Sequence, residues 1–180
     1  TTTLYSSLKQ LATDQVNVCT IEDPIEMLEP SFNQMQVNTA IDLGFADGVR
    51  ALMRQDPDTI LVGEVRDEET AGLTLNAALT GHRVFASVHA PDCLGAISRL
   101  TELNVRLESL MNCLNGVATL RLKPAAPNGQ RQLWAEVIDL KSVPRKEVLS
   151  CKAIGELMSL LSPLNYLQFP SSTALLANEQ

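Results

Sequence analysis

Apolar positions along the chain switch repeatedly between helical spacing and short continuous runs. Leu4, Tyr5, Leu8, Leu11 and Ala12 fall on one helical stripe at the start. Residues 16–21 (VNVCTI) follow as a strand-like run that Pro24 halts, since proline cannot donate to a ladder. Residues 29–43 read as irregular, with a weak extended pattern at Gln34 to Val37. Phe45, Val49, Leu52 and Met53 mark the next helix, which stops before Asp56-Pro57. The run TILVG at 59–63 predicts a strand, and Asp67 opens a helix carrying Ala71, Leu75, Ala78 and Leu79. Gly81 closes that helix, as glycine commonly does. RVFASVH at 83–89 predicts a third strand, and helices are expected at Leu94 to Leu103 and Leu107 to Ala118.

From Thr119 the texture changes. TLRLK and QLWAEVIDL are extended runs joined by a turn-rich stretch at 124–129, which suggests a hairpin. Ile154, Leu157, Met158 and Leu161 mark a last helix, and the tail at 162–180 shows no consistent period. The expected organisation is a core over 1–118, a hairpin-and-helix region over 119–161, and an unassigned tail. Strands alternating with helices predict an α/β fold, a mostly parallel sheet with helices on both faces. Ligands of such sheets sit at the carboxyl ends of the strands. That rule puts Glu22, Asp23, Glu64 and His89 on one rim, together with the helix start at Thr1.

Composition narrows the picture. At 180 residues, with 45% hydrophobic and 19% charged positions, the chain suits an ordinary globular fold. A net charge of −7 argues against broad, sequence-independent nucleic-acid binding. No segment approaches the ~20 consecutive apolar residues of a membrane span. Cys19, Cys93, Cys113 and Cys151 are scattered without a CxxC pair, so reduced, mostly buried thiols are expected rather than zinc or a disulfide.

Several residues offer chemistry. Glu22, Asp23, Glu26 and Glu29 form an acidic cluster that, taken alone, reads first as a solvated loop. Glu64 is different, because it follows Gly63 and a buried-type apolar run. An isolated buried charge is costly, so a positive partner is expected at that strand end. An acid on this rim suits a residue that faces hydrated Mg²⁺ or an attacking water. His82 and His89 are seven residues apart, which on one strand sets them on opposite sides. A metal shared between them is therefore not expected. Arg50, Arg54 and Arg66 flank the TILVG strand, as surface charges or as stabilisers of phosphoryl charge. Thr1-Thr2-Thr3 are poor helix starters, but they suit a hydroxyl facing a metal at a helix N-terminus that faces phosphate. The single Trp134 reads as core.

In order and spacing, these stretches resemble the secretion ATPases of type II secretion and of type IV pilus assembly or retraction, over roughly residues 1–118. TTTLY looks like the continuation of that family's phosphate loop, TIEDPIE (20–26) is similar to its Asp box, RQDPDTILVGEVRDEETA resembles its Walker B region, and LTGHRVFASVHAPD its His box. The resemblance implies a RecA-like nucleotide-hydrolase core, a cytoplasmic homo-hexamer peripheral to the inner membrane, with ATP and Mg²⁺ bound between subunits. It implies that Thr1 and Glu64 hold Mg²⁺, directly or through water. Glu26 would polarise the attacking water, with Glu22 and Asp23 supporting electrostatically. His89 would sense the γ-phosphate with His82 in support, and Arg54 and Arg66 would steer charge at the subunit boundary.

The implied partner is an inner-membrane platform protein, so membrane contact comes through partners and direct nucleic-acid contact is not expected. The four-cysteine zinc module of type II members does not occur after the His box, and Ser87-Val88-His89-Ala90 stands where many members have Thr-Leu-His-Thr. The GxxxxGK of the phosphate loop is expected before Thr1, in a longer polypeptide. Without it the chain is expected to bind ATP poorly. The alternatives are a catalytically silent ring subunit and a conjugative DNA-transfer ATPase of the same superfamily.

Overall fold

Four short strands, β1 (Val18–Glu22), β2 (Phe32–Gln36), β3 (Thr59–Val62) and β4 (Arg83–Ala86), form a parallel sheet in the order β2-β1-β3-β4. The computed structural model describes residues 1–124, 131–141, 145–151, 153–161 and 169–170. The expected turn after Pro124 and most of the tail lie outside the described residues. Every residue of β1 and β3 is buried, so neither strand shows hydrophobic–polar alternation.

Side chains of β1 divide by parity. Val18 packs with Tyr5 and Leu8 of α1 (Thr2–Leu11), and with Phe32 and Leu61. Ile21 meets α2 (Phe45–Leu52) on the other face, where a Cβ on Gly48 would sit 2.6 Å from its side chain. α3 (Glu68–Leu79) packs beside α2. Helices therefore cover both faces of the sheet. Each fully buried aliphatic or aromatic side chain here, such as Leu8, Ile21 or Leu52, contributes roughly 1.5–3 kcal/mol. Asp67 caps α3 by accepting the Thr70 N–H at 2.8 Å. Gly81, at φ +103°, makes the left-handed exit from that helix.

Residues 1–89 and 102–105 form one compact unit, and residues 90–101 and 106–180 a second. The second holds most of α4 (Cys93–Glu102), then α5 (Leu107–Cys113), β5 (Gly116–Pro124), β6 (Arg131–Asp139), α6 (Arg145–Ser150), α7 (Ile154–Leu161) and β7 (Phe169–Pro170). β5 and β6 make the antiparallel hairpin, and β7 pairs with β6 through Phe169 and Pro170. The buried Cys93 thiol lies 3.3 Å from the Thr119 hydroxyl and 3.2 Å from the Glu136 carbonyl. Cys19 and Cys93 are buried, and Cys113 and Cys151 are partly exposed.

Four expectations need correction. The stretch 29–43 contains a true strand, β2, and a 3₁₀ turn at Thr39–Ile41. The helix from Leu107 ends at Cys113 instead of reaching Ala118, because Gly116 already belongs to β5. The third strand ends at Ala86, after which the Ser87 carbonyl accepts the Val65 N–H at 2.9 Å. Within the tail, Phe169–Pro170 pairs as β7. Two-turn α6 had no periodic signal, since Val148 is its only buried apolar residue among those described.

Candidate functional site

The tips of β1 and β3 lie side by side. Ile21 pairs with Val62, and the Gly63 N–H donates to the Ile21 carbonyl at 2.8 Å. A Cβ on Gly63 would stand 3.0 Å from that carbonyl oxygen and 3.2 Å from the Glu22 Cα. Glycine here lets the β3 tip lie against the β1 tip, with Gly63 against Glu22 and Glu64 one residue beyond.

The fully buried acid is Glu22, at 4% exposure. Tyr5 Oη lies 2.8 and 2.7 Å from its two carboxylate oxygens, Thr20 Oγ1 donates at 2.6 Å, and Gln34 Nε2 stands 3.3 Å away. Its described hydrogen-bond partners are thus neutral donors. Burial, followed by the bond to Glu22 and its negative charge, pushes the Tyr5 phenol above its ordinary range, so Tyr5 stays a donor.

Glu64, whose side chain is 16% exposed, does have positive company. Arg66 Nη2 lies 2.5 Å from Oε2, and His89 Nε2 lies 3.1 Å from Oε1. The Arg66 hydrogen bond holds the Glu64 carboxyl below the usual range, burial opposes this, and the charges of Arg66 and His89 add to the lowering. Arg66 is raised in turn, first by the same bond. The positive partner expected for Glu64 is thus supplied by the protein's own side chains.

Thr1 is exposed at the start of α1; its side chain makes no cap bond, while its carbonyl accepts the Tyr5 N–H at 3.0 Å. Asp23 and Glu26 are exposed on the loop after β1. Thr1, Glu22, Asp23, Glu26, Glu64, Arg66 and His89 therefore belong to elements that meet at the carboxyl edge of the sheet. Arg54 and His82 do not. Arg54 precedes β3 and His82 precedes β4, at the opposite edge, about 13 Å away for strands of this length. His82 Nδ1 lies 3.0 Å from the Ala77 carbonyl and 3.2 Å from Thr80 Oγ1, closing the end of α3.

Tyr5, Thr20, Gln34 and Gln36 take part in the site without having been singled out in the sequence. Tyr5 counted only as a core position of a helical stripe, and the glutamines sat in the stretch read as irregular.

The oxygen donors fit Mg²⁺, which keeps several waters and takes one or two protein ligands beside phosphate. Glu64 is held ionised at the rim and Thr1 offers an uncommitted side chain. Among the described residues no group of three or more His, Cys, Asp or Glu side chains forms a metal cage, and Mg²⁺ does not require one.

Comparison with known proteins shows the family and the fold. The family model described as "Type II/IV secretion system protein" matches residues 1–157. "Type IV pilus assembly ATPase TfpB" of Acinetobacter baylyi is 67% identical over 122 residues, covering 68% of this chain and 21% of that protein. "Type II secretion system protein E" of Pectobacterium carotovorum subsp. carotovorum is 48% identical over 121 residues, covering 67% and 24%. Among solved structures, the pilus retraction motor PilT with bound ADP superposes with TM-score 0.75 at 31% identity, over 91% of this chain and 50% of that one. The Legionella pneumophila ATPase DotB gives TM-score 0.71 at 27% identity, over 89% and 48%. The chain thus spans 21% and 24% of the length of these two curated relatives.

Proposed function

Because this chain belongs to the type II/IV secretion system protein family and carries the α/β core of its RecA-like ATPases, we propose that it forms part of an ATP-hydrolysing motor. The motor drives pilus assembly or retraction, or protein secretion, across the bacterial envelope. The observation that carries this reading is the adjacency of two acidic strand tips, Glu22 and Glu64, beside a helix that opens with a free-standing threonine.

The residues take distinct parts. Thr1 and Glu64 would hold the magnesium of Mg·ATP, and the metal would supply charge neutralisation at the phosphates. Glu26, exposed on the loop after β1, accepts a proton from and orients the attacking water. Glu22 is buried and, with Asp23, sets the local negative potential. His89 stands at the rim beside Glu64 and would sense the outermost phosphate. Arg66 compensates Glu64 when nucleotide is absent. Arg54 and His82, at the far edge of the sheet, act on neighbouring subunits or on helix α3 rather than on nucleotide.

The motor works as a ring of six copies. It sits in the cytoplasm against an inner-membrane platform protein, which provides its membrane contact, and needs no direct nucleic-acid contact. No helix among the described residues is long and apolar enough to cross a membrane. The test is steady-state hydrolysis by the polypeptide that carries the phosphate loop. Glu64→Gln should lower kcat by about 10²-fold or more while ATP binding is largely kept. Turnover at the parental rate would refute the assignment.

A further inference from the structure

Two glutamines of β2 hold three backbone groups that bracket Glu26. Gln36 Oε1 accepts the Ile25 N–H at 3.1 Å, Gln34 Oε1 accepts the Glu29 N–H at 2.8 Å, and Gln34 Nε2 donates to the Met27 carbonyl at 2.9 Å. Residues 34 and 36 share one face of the strand and stand in register with Thr20 and Glu22. The loop after β1 is therefore pinned at positions 25, 27 and 29, with the Glu26 side chain exposed between the pins.

Counting donors fixes the direction of every bond. The Glu29 N–H can only donate, so the Gln34 atom facing it is the amide oxygen, and the NH₂ end faces the opposite way. There it meets the Met27 carbonyl, the Tyr5 hydroxyl at 2.8 Å and Glu22 Oε1 at 3.3 Å. Tyr5 accepts from Gln34 and so gives its own proton to Glu22. Thr20 gives its proton to Glu22 as well. Glu22 receives each of these bonds, which suits an ionised carboxylate. The two N–H groups of one amide thus join the Glu26 loop, at the Met27 carbonyl, to helix α1, at the Tyr5 hydroxyl, and Tyr5 in turn donates to the buried acid. The ion pair of Lys9 with Glu29 ties the same loop to α1 from outside.

We infer that Gln34, assisted by Gln36, is a positioning residue that sets where Glu26 stands relative to α1 and Glu22. This rests on the reading of Glu26 as the group that orients the attacking water. Neither glutamine touches reacting atoms. Methionine at 34 fills similar space but holds neither the Glu29 N–H nor the Met27 carbonyl. Glutamate at 34 accepts from Glu29 but turns lone pairs toward Met27 and Glu22. Both substitutions loosen the loop, and for different reasons.

Two measurements test the inference. By amide hydrogen exchange on this chain, Gln34→Met should speed exchange at Glu29 by about five- to tenfold, the loss of one ordinary hydrogen bond, with Ile60 and Leu61 of β3 within about twofold of the parent. In the ATPase carrying the phosphate loop, Gln34→Met and Gln34→Glu should lower kcat by about 10²-fold, the size expected of a misplaced catalytic group, with KM for ATP nearly unchanged. Gln36→Met should show the same split to a smaller degree, and it decides the matter should position 34 not tolerate substitution. In a Glu26→Gln background, adding Gln34→Met should leave kcat where Glu26→Gln put it.

Parental kcat, a raised KM with kcat intact, or a further loss on top of Glu26→Gln would each overturn the inference. Unchanged exchange at Glu29 overturns it while leaving the Glu26 reading intact. Parental turnover by Glu26→Gln removes that reading and the catalytic part of this one, even where exchange at Glu29 shows the loop to be pinned.

Discussion

Replacing Tyr5 by phenylalanine removes one oxygen from the interior and keeps the ring. The ring packs against Phe32 at a centroid distance of 5.7 Å and an interplanar angle of 49°, and with Leu8, Val18 and Leu61, so the apolar contacts survive. What is lost is the hydroxyl within 2.8 and 2.7 Å of the two Glu22 oxygens, in surroundings that leave Glu22 only 4% exposed. A hydrogen bond to a charged group contributes about 1.5–3 kcal/mol. Thr20 still donates to Glu22, and Gln34 swings free of one acceptor, so a loss near 2 kcal/mol is expected, about 30-fold in an opening equilibrium.

The assay is native-state hydrogen exchange at Val18–Ile21 and Ile60–Val62, because these amides belong to the unit that holds Tyr5. Trp134 fluorescence would report the other unit. The cost of Tyr5→Phe should shrink to about 1 kcal/mol or less in a Glu22→Gln background, where a neutral bond replaces a charged one. A loss below about 0.5 kcal/mol in the parent, or an equal loss in both backgrounds, would refute the reasoning that Glu22 is a buried anion held by neutral donors.

Gly63→Ala should destabilise the first unit by about 1–3 kcal/mol, since its Cβ meets backbone atoms of β1 at 3.0 and 3.2 Å; thermal unfolding at the parental temperature would contradict this. Asp67→Ala should cost about 1 kcal/mol and speed exchange at Thr70, whose N–H the Asp67 carboxylate accepts at 2.8 Å. Arg66 holds Glu64 below the usual carboxylate range, so that stabilisation is full above the ordinary value and is lost as pH falls through the depressed one. Carboxyl ¹³C shifts followed against pH should show Glu64 of Arg66→Gln titrating at higher pH than in the parent. An unmoved titration would mean that the pair does not persist in solution.

Much of the architecture was legible because β1 and β3 are the two central parallel strands, and strands buried on both faces leave uninterrupted runs such as TILV. β2 was not legible, because its alternate positions Gln34 and Gln36 face a loop rather than core or water. No hydrophobic period can signal side chains whose partners are backbone groups 5, 7 and 11 residues upstream, on a loop outside the strand. The acidic cluster was legible as a cluster, yet its members differ: β1 runs one residue past the expected end, which buries Glu22 and leaves Asp23 and Glu26 exposed. For the histidines, parity along a strand was the wrong measure. β4 spans only Arg83–Ala86, so His82 and His89 are separated by its length and reach opposite edges of the sheet. Glu64 illustrates the gain from structure in another way, since the pattern demanded a positive neighbour and Arg66, two residues on, provides one.

The account stands on acids at the carboxyl edge of this sheet serving a bound nucleotide, with Glu26 as the group that activates water. Single-turnover hydrolysis of pre-bound ATP by Glu26→Gln, in the polypeptide that carries the phosphate loop, isolates that step from binding and product release. The predicted result is retention of the nucleotide with cleavage slowed by about 10²–10⁴-fold; cleavage at the parental rate would contradict it.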